Sequence, residues 1–206
     1  MTWLSRNWDQ VLVALGEHLV ISLTALVIAS ALSLVVGIWA ARNDRVFTWA
    51  IGISGFLYTI PTLAFLALLI PVVGLGKTNA IICMVAFSLM ILIRNVATGI
   101  REVPEDVTDA ARGMGMHPVE VLVRVELPLA LPVIVAGLRI AAVTVISVTV
   151  VGAYVNAGGL GTLIFSGMSN DFAPKIWTGA IAACALSVAA DLSLARLESR
   201  LKARTA

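Results

Sequence analysis

The stretch Pro104–Pro132, PEDVTDAARGMGMHPVEVLVRVELPLALP, is a polar interval between long apolar runs, and its reading decides the fold. Eight of its 29 residues are charged or histidine, in a chain that is 60% hydrophobic. Val107, Ala110, Ala111 and Met114 follow an i, i+3, i+4, i+7 spacing that makes one helical face. Glu105, Asp106, Thr108, Asp109 and Arg112 fall opposite them. Gly113 or Gly115 supplies a stop. His117-Pro118 then offers a second start, with proline suited to the first helical position and Glu120 in the first turn. Glu120 and Arg124 are spaced as an i, i+4 pair on that second helix. The spacing predicts two short amphipathic helices meeting at a glycine turn between membrane spans, an arrangement suited to docking a soluble partner.

Outside this stretch the chain reads as an all-α integral membrane protein. It has 206 residues with 13% charged, against about 25% in soluble domains, and a mean hydropathy of +1.00. The net charge of +2 gives no reason to expect nucleic acid as a partner. Cys83 and Cys184 lie in separate apolar runs and read as small packing residues.

Five spans are expected, in a single membrane domain over 19–195 between an interfacial segment, 1–18, and a tail, 196–206. The first segment carries Trp3 and Trp8 for the headgroup level. Leu19–Ala41 is uncharged over 23 residues, where about 20 suffice to cross. Val46–Gly76 is uncharged over 31 residues, too long for one straight span, and Pro61 predicts a kink or break at Tyr58–Thr62. Non-helical backbone at that depth is tolerated only against protein or a water-filled cavity, so this segment either lines a path or is a kinked packing helix.

The remaining spans are about Asn79–Ile100, Leu129–Ala153 and Ile176–Ala195. Arg94 and Arg139 interrupt two of them and should lie at similar depth, each with its own partner; Arg94 either snorkels to the interface or makes a polar contact in the bundle. Gly158, Gly159 and Gly161 predict a tight turn or re-entrant loop after the fourth span. Basic residues divide nine to three between the two sets of loops, which predicts an outside N-terminus, a cytoplasmic C-terminus and a cytoplasmic loop at 101–130.

The residues exclude several chemistries. Gly74-Leu75-Gly76-Lys77-Thr78 ends like a phosphate-binding loop, but the required first glycine is Pro71 and no strand precedes it. His18 and His117 have no companions at metal-ligand spacing and read as interface or capping residues. No nucleophile, base and orienting group converge, so the chain is not expected to be an enzyme. Glu102, Glu105, Asp106 and Asp109 are either a solvated face complementing a helix N-terminus or a surface for a basic partner.

At Asp109-Ala110-Ala111-x3-Gly115-x9-Val125-x-Leu127-Pro128 the sequence resembles the cytoplasmic loop of binding-protein-dependent ATP-binding-cassette (ABC) importer permeases, whose pattern is E-A-A-x3-G-x9-I-x-L-P. Asp stands for Glu and Val for Ile. The resemblance implies the type I importer permease fold in a bacterial inner membrane. It also implies a second permease chain (identical or sister), a cytoplasmic ATPase dimer holding ATP and Mg, and an extracytoplasmic binding protein, with no cofactor on this chain. The docking residues it implies are Glu105, Asp109, Ala110, Ala111, Gly115, Met116, Leu127 and Pro128. Tyr58–Pro71, Arg94-Asn95, Glu126–Pro132 and Ala157–Gly161 are similar to permeases for glycine betaine, carnitine, choline and proline betaine. Tyr58, Thr59, Pro61, Thr62, Tyr154, Asn156, Gly158 and Gly159 are then candidates for lining the path. A same-fold permease for amino acids or another small organic ion is the alternative, and a passive channel or membrane scaffold is the reading from a different class.

Overall fold

The computed structural model describes residues 2–205, with Met1 and Ala206 of the two terminal segments outside them. The described residues form helices α1 (Thr2–Arg6), α2 (Trp8–Arg42), α3 (Asp44–Thr59), α4 (Thr62–Val73), α5 (Lys77–Arg101), α6 (Glu105–Gly113), α7 (Pro118–Val121), α8 (Leu127–Gly152), α9 (Leu160–Ser169) and α10 (Ala173–Thr205). No strand occurs among them, as expected where hydrocarbon obliges each segment to satisfy its own backbone polar groups. Four helices are long and apolar enough to cross a membrane, and α3 with α4 makes a fifth span when counted as one bent unit.

The bend is where the sequence places it. Ile60 and Pro61 are extended, with ψ of 126° and 131°. A residue preceding proline disfavours the helical region, and Pro61 has no N–H to continue the ladder. The chain turns by 100° and restarts at once, because the Pro61 carbonyl accepts from Phe65 N at 2.9 Å. The junction of α2 and α3 has a different cause. Asn43 leaves the helical region, and its side-chain oxygen accepts from the backbone N–H groups of Arg45 (2.9 Å) and Val46 (3.3 Å), a cap that starts the next helix.

α5 is the centre of the bundle, packed by α2, α3, α4 and α8. Its approach to α2 depends on a stripe of small residues, Ser22, Ala25, Ala29, Ser33, Gly37 and Ala40, buried along the longer helix. Lipid gives no hydrophobic drive for helices to associate, so close van der Waals packing between small residues carries more of the stability. A Cβ on Gly37 would sit 2.6 Å from Val96, and one on Gly137 of α8 would sit 2.4 Å from Asn95. Larger side chains fill the space between the helices around Ile21, Leu66, Met84, Phe87 and Val145.

Three expectations need revision. The helix carrying the first span begins at Trp8, eleven residues ahead of Leu19, so Trp8–His18 is continuous with it. Arg139 does find its own partners on α10, donating through Nη2 to Asp191 Oδ2 at 2.9 Å and lying 3.5 Å from Glu198. Arg94 does not: it is exposed, and no ion pair joins it among the described residues. Cys83 is buried but Cys184 is exposed, so only the first packs internally.

A Gly37→Val substitution should wedge α2 from α5 and cost about 1–3 kcal/mol, read as a lower midpoint of thermal unfolding in detergent. An unchanged midpoint would remove the close α2–α5 contact as a stabilising feature.

Candidate functional site

The loop after α5 is built by local rules. Pro104 opens α6, and Glu105 and Asp106 occupy its first turn, where the helix dipole favours negative charge. Val103, Thr108 and Ala111 are buried against the protein. Thr108, placed among the polar residues by spacing, turns inward because its hydroxyl donates to the Glu105 carbonyl at 2.9 Å and needs no other partner. The apolar set is therefore split. Ala111 faces in, while Val107, Ala110 and Met114 are exposed beside Glu105 and Asp109.

Gly115 closes the helix in the left-handed region, with φ of 86°. Its N–H donates to Arg112 O at 2.9 Å, and Met116 N–H reaches back to Ala111 O at 3.2 Å, the pattern of a glycine-terminated helix end. His117 N–H then donates to Glu120 Oε2 at 3.2 Å, and Glu120 pairs with Arg124 at 3.9 Å as spaced. The second short helix is not separate, however. α7 passes without a break through a π-helical turn, Leu122–Glu126, into α8. Leu127 N–H bonds to Leu122 O, five residues back. This wider turn accommodates Pro128, whose ring would collide with the carbonyl four residues before it in a regular helix.

Two arginines join the root of this loop to the end of α2. Glu126 is 2% exposed and is paired with Arg42 of the last turn of α2. Arg101, the last residue of α5, donates to the carbonyls of Ala40 (2.7 Å) and Ala41 (3.3 Å) and to Asp44 Oδ1 at 2.8 Å. Its guanidinium also lies 4.7 Å over the Phe47 ring. A cation bonding the free carbonyls at a helix C-terminus complements the dipole there. Between these contacts and α6 lies a polar cleft of about 460 Å³, walled by Arg42, Arg101, Glu105, Asp109, Arg112 and Glu126 among others. Leu127 and Pro128, next in sequence to its wall residue Glu126, form the first turn of α8.

A second cleft, of about 290 Å³, opens at the broken span. Tyr58, Thr59, Pro61 and Thr62 meet there as the sequence suggests, with Phe87 of α5 and Thr144 and Val148 of α8 completing the wall. Tyr58 and Phe65 both meet Phe87 ring to ring, at 6.0 and 5.7 Å between centroids. Nothing in the sequence marks Phe87 or Thr144, since each lies within an uninterrupted apolar run.

Tyr154, Asn156, Gly158 and Gly159 are not among the walls of that cleft. Tyr154 is exposed and edges onto Phe165 at 5.8 Å, and Asn156 is left-handed, with φ of 58°. Gly158 and Gly159 press against α2. Gly159 N–H donates to Glu17 Oε2 at 3.0 Å, and Leu160 N–H donates to His18 Nδ1 at 3.3 Å. With Nδ1 accepting, His18 Nε2 carries the proton and donates to Ile146 O at 3.1 Å. Glu17 and His18 thus cap α9, and a Cβ on Gly158 would fall 2.4 Å from the Glu17 carboxylate.

Residues 33–203 match the family described as "Binding-protein-dependent transport system inner membrane component". The chain belongs to this family. It is a membrane permease subunit of an ABC importer, in the inner membrane. The permease is 37% identical to the carnitine transport permease protein OpuCB of Listeria monocytogenes, over 98% of this chain and 92% of that one. It is 38% identical to the choline transport system permease protein OpuBD of Bacillus subtilis (strain 168), over 98% of this chain and 89% of that one. It is also 38% identical, over 76% of its length, to part of the ergothioneine transport permease/ergothioneine binding protein EgtU of Helicobacter pylori (strain G27), of which it covers 28%. Its fold matches a chain of the inward-facing MetNI methionine ABC transporter with a TM-score of 0.84 at 21% identity, covering 95% and 97% of the two chains.

Removing Arg42 should leave the buried Glu126 carboxyl group without its partner. Arg42→Ala is expected to cost about 3 kcal/mol, Glu126→Gln less, and the double variant less than the two combined. Additive losses in denaturation midpoints would show that the pair contributes no coupling.

Proposed function

We propose that the permease forms the translocation path of an ATP-driven importer for a compatible solute such as glycine betaine, choline or carnitine. The observation that carries this reading is the identity of 37–38%, over nearly the whole chain, to permeases named for carnitine and choline. Carnitine, choline and ergothioneine share a trimethylammonium group. An uncharged cleft with aromatic walls at Tyr58 and Phe87 suits such a cation better than a ring of carboxylates. The likeness to the methionine transporter bears on fold alone.

In this reading α6 is the docking helix for a cytoplasmic ATPase dimer that holds ATP and Mg. Glu105, Asp109, Ala110, Gly115 and Met116 form its contact, and Ala111 anchors it to the bundle. Leu127 and Pro128 pass its displacement into α8. Glu126 and Arg101 pass it into α2 and α3 through the contacts with Arg42, Ala40, Ala41 and Asp44. A second permease, identical or sister, completes the path, and an extracytoplasmic binding protein delivers the solute. The excess of basic residues in the α2–α3 and α5–α8 connections and the tail supports a cytoplasmic C-terminus and an outside N-terminus. Alternating access then follows if ATP closure favours one arrangement of these helices over the other.

Competition among labelled glycine betaine, carnitine, choline and amino acids in uptake assays tests the substrate class. Exclusive uptake of an amino acid would replace it. For the docking role, a side chain at Gly115 is strained by about 1–2 kcal/mol in the left-handed region. Gly115→Val is therefore expected to lower uptake at least tenfold while membrane insertion persists. Full uptake in that variant would take the turn out of the mechanism.

A further inference from the structure

Arg94 is a charged residue within the central helix that the proposed function leaves without a role. Each wall of α5 near it is accounted for. Val96 and Leu92 face α2, against Gly37 and Ala29. Asn95 and Gly99 face α8, against Gly137 and Ala130. Met90 reaches Gly55 of α3, where its sulfur would lie 3.9 Å from an added Cβ. Arg94 falls in the remaining sector, between α3 and α8 and away from α2, and it is exposed there. Seven residues separate it from Phe87, two helical turns or about 10 Å along one face. It therefore lies on the same face of α5 as Phe87, two turns along from the Tyr58–Phe87 cleft.

The charge is unanswered among the described residues. Asp44 pairs with Arg101, Glu126 with Arg42, and Asp191 with Arg139, and no acid among the described residues reaches Arg94. Ionisable residues within spans face a water-filled cavity or a counter-charge, and they mark ion and substrate pathways. A guanidinium offers a planar pair of donors that matches a carboxylate.

We propose that Arg94 is a specificity-determining residue of the path, binding the carboxylate of zwitterionic solutes and favouring them over carboxylate-free cations. The inference rests on the reading of this face as the translocation path. It divides the candidate solutes by chemistry. Glycine betaine and carnitine carry a carboxylate beside the quaternary ammonium group, and choline carries a hydroxyl. The aromatic cleft serves the ammonium group common to all three, and Arg94 separates them.

The test uses the complete transporter, with its ATPase and binding protein, reconstituted in vesicles with labelled carnitine and choline. Arg94→Gln is expected to lower the ratio of carnitine to choline uptake at least tenfold relative to the unaltered transporter, and Arg94→Lys to restore part of it. An unchanged ratio overturns the proposal, whether both uptakes persist or both fall together, as they would if Arg94 only paired with a carboxylate of the second permease. If the unaltered transporter carries no choline, the readout is carnitine uptake alone. Arg94→Lys should then retain at least threefold more than Arg94→Gln, and equal loss in the two overturns the proposal. A transporter that carries only choline overturns it while leaving the compatible-solute reading intact. Uptake of none of these solutes overturns that reading as well.

Discussion

The carboxylate of Glu126, almost wholly withdrawn from solvent, has Arg42 as its counter-charge, and the root of the loop is organised around that pair. A buried charge without a partner is destabilising by several kcal/mol, so α8 must start beside the end of α2. Arg101 ties the end of α5 to the same place through the carbonyls of Ala40 and Ala41. Three helices are thereby joined at one level, immediately next to α6. The π-helical turn at Leu122–Glu126 positions Glu126 for this contact while clearing room for Pro128. Loop, first span and fourth span are consequently one mechanical unit on this side of the protein.

A second constraint acts at the broken span. The chain abandons helical geometry at Ile60-Pro61 inside an apolar region, which is stable only because neighbouring groups cover the exposed backbone. Phe65 N–H donates to the Pro61 carbonyl, Thr59 donates to Phe56 O, and Asn79 donates to Leu66 O within α4 and to Gly74 O at its far end. The resulting recess meets Phe87, Thr144 and Val148. Local satisfaction of the backbone and a site between helices have the same origin here, a single proline in a long apolar run.

What could be read from the sequence was what is local. Pro61 announced the break, the Gly113–Gly115 pair the end of α6, and the spacing from Asp109 to Pro128 the family. Non-local contacts left no such mark. Phe87 is one apolar residue among many, and only the packing of α3 and α4 on α5 brings it to Tyr58 and Phe65. Glu126 sits in a stretch that reads as a polar loop, and its burial follows from Arg42, 84 positions away. His18 read as an interface or capping residue, but its cap lies on α9, a pairing that no spacing rule connects. Thr108 departed from its polar face because a hydroxyl bonded to its own helix behaves as an apolar group. The separate second helix failed for a related reason: a proline near a helix start is compatible with continuation when a π turn precedes it.

The length of α2 has a mechanical meaning. Its 35 residues make a rod of about 52 Å, against a hydrocarbon thickness of about 30 Å. Near one end it carries Glu17 and His18, which hold the N-terminus of α9, and at the other end Arg42, which holds Glu126. No proline or break interrupts it in between. The stretch from Glu17 to Arg42 is a continuous rod of about 38 Å, and it joins these two sets of contacts by a route that bypasses the break at Pro61. One continuous helix thus carries both the hold on α9 and the hold on Glu126.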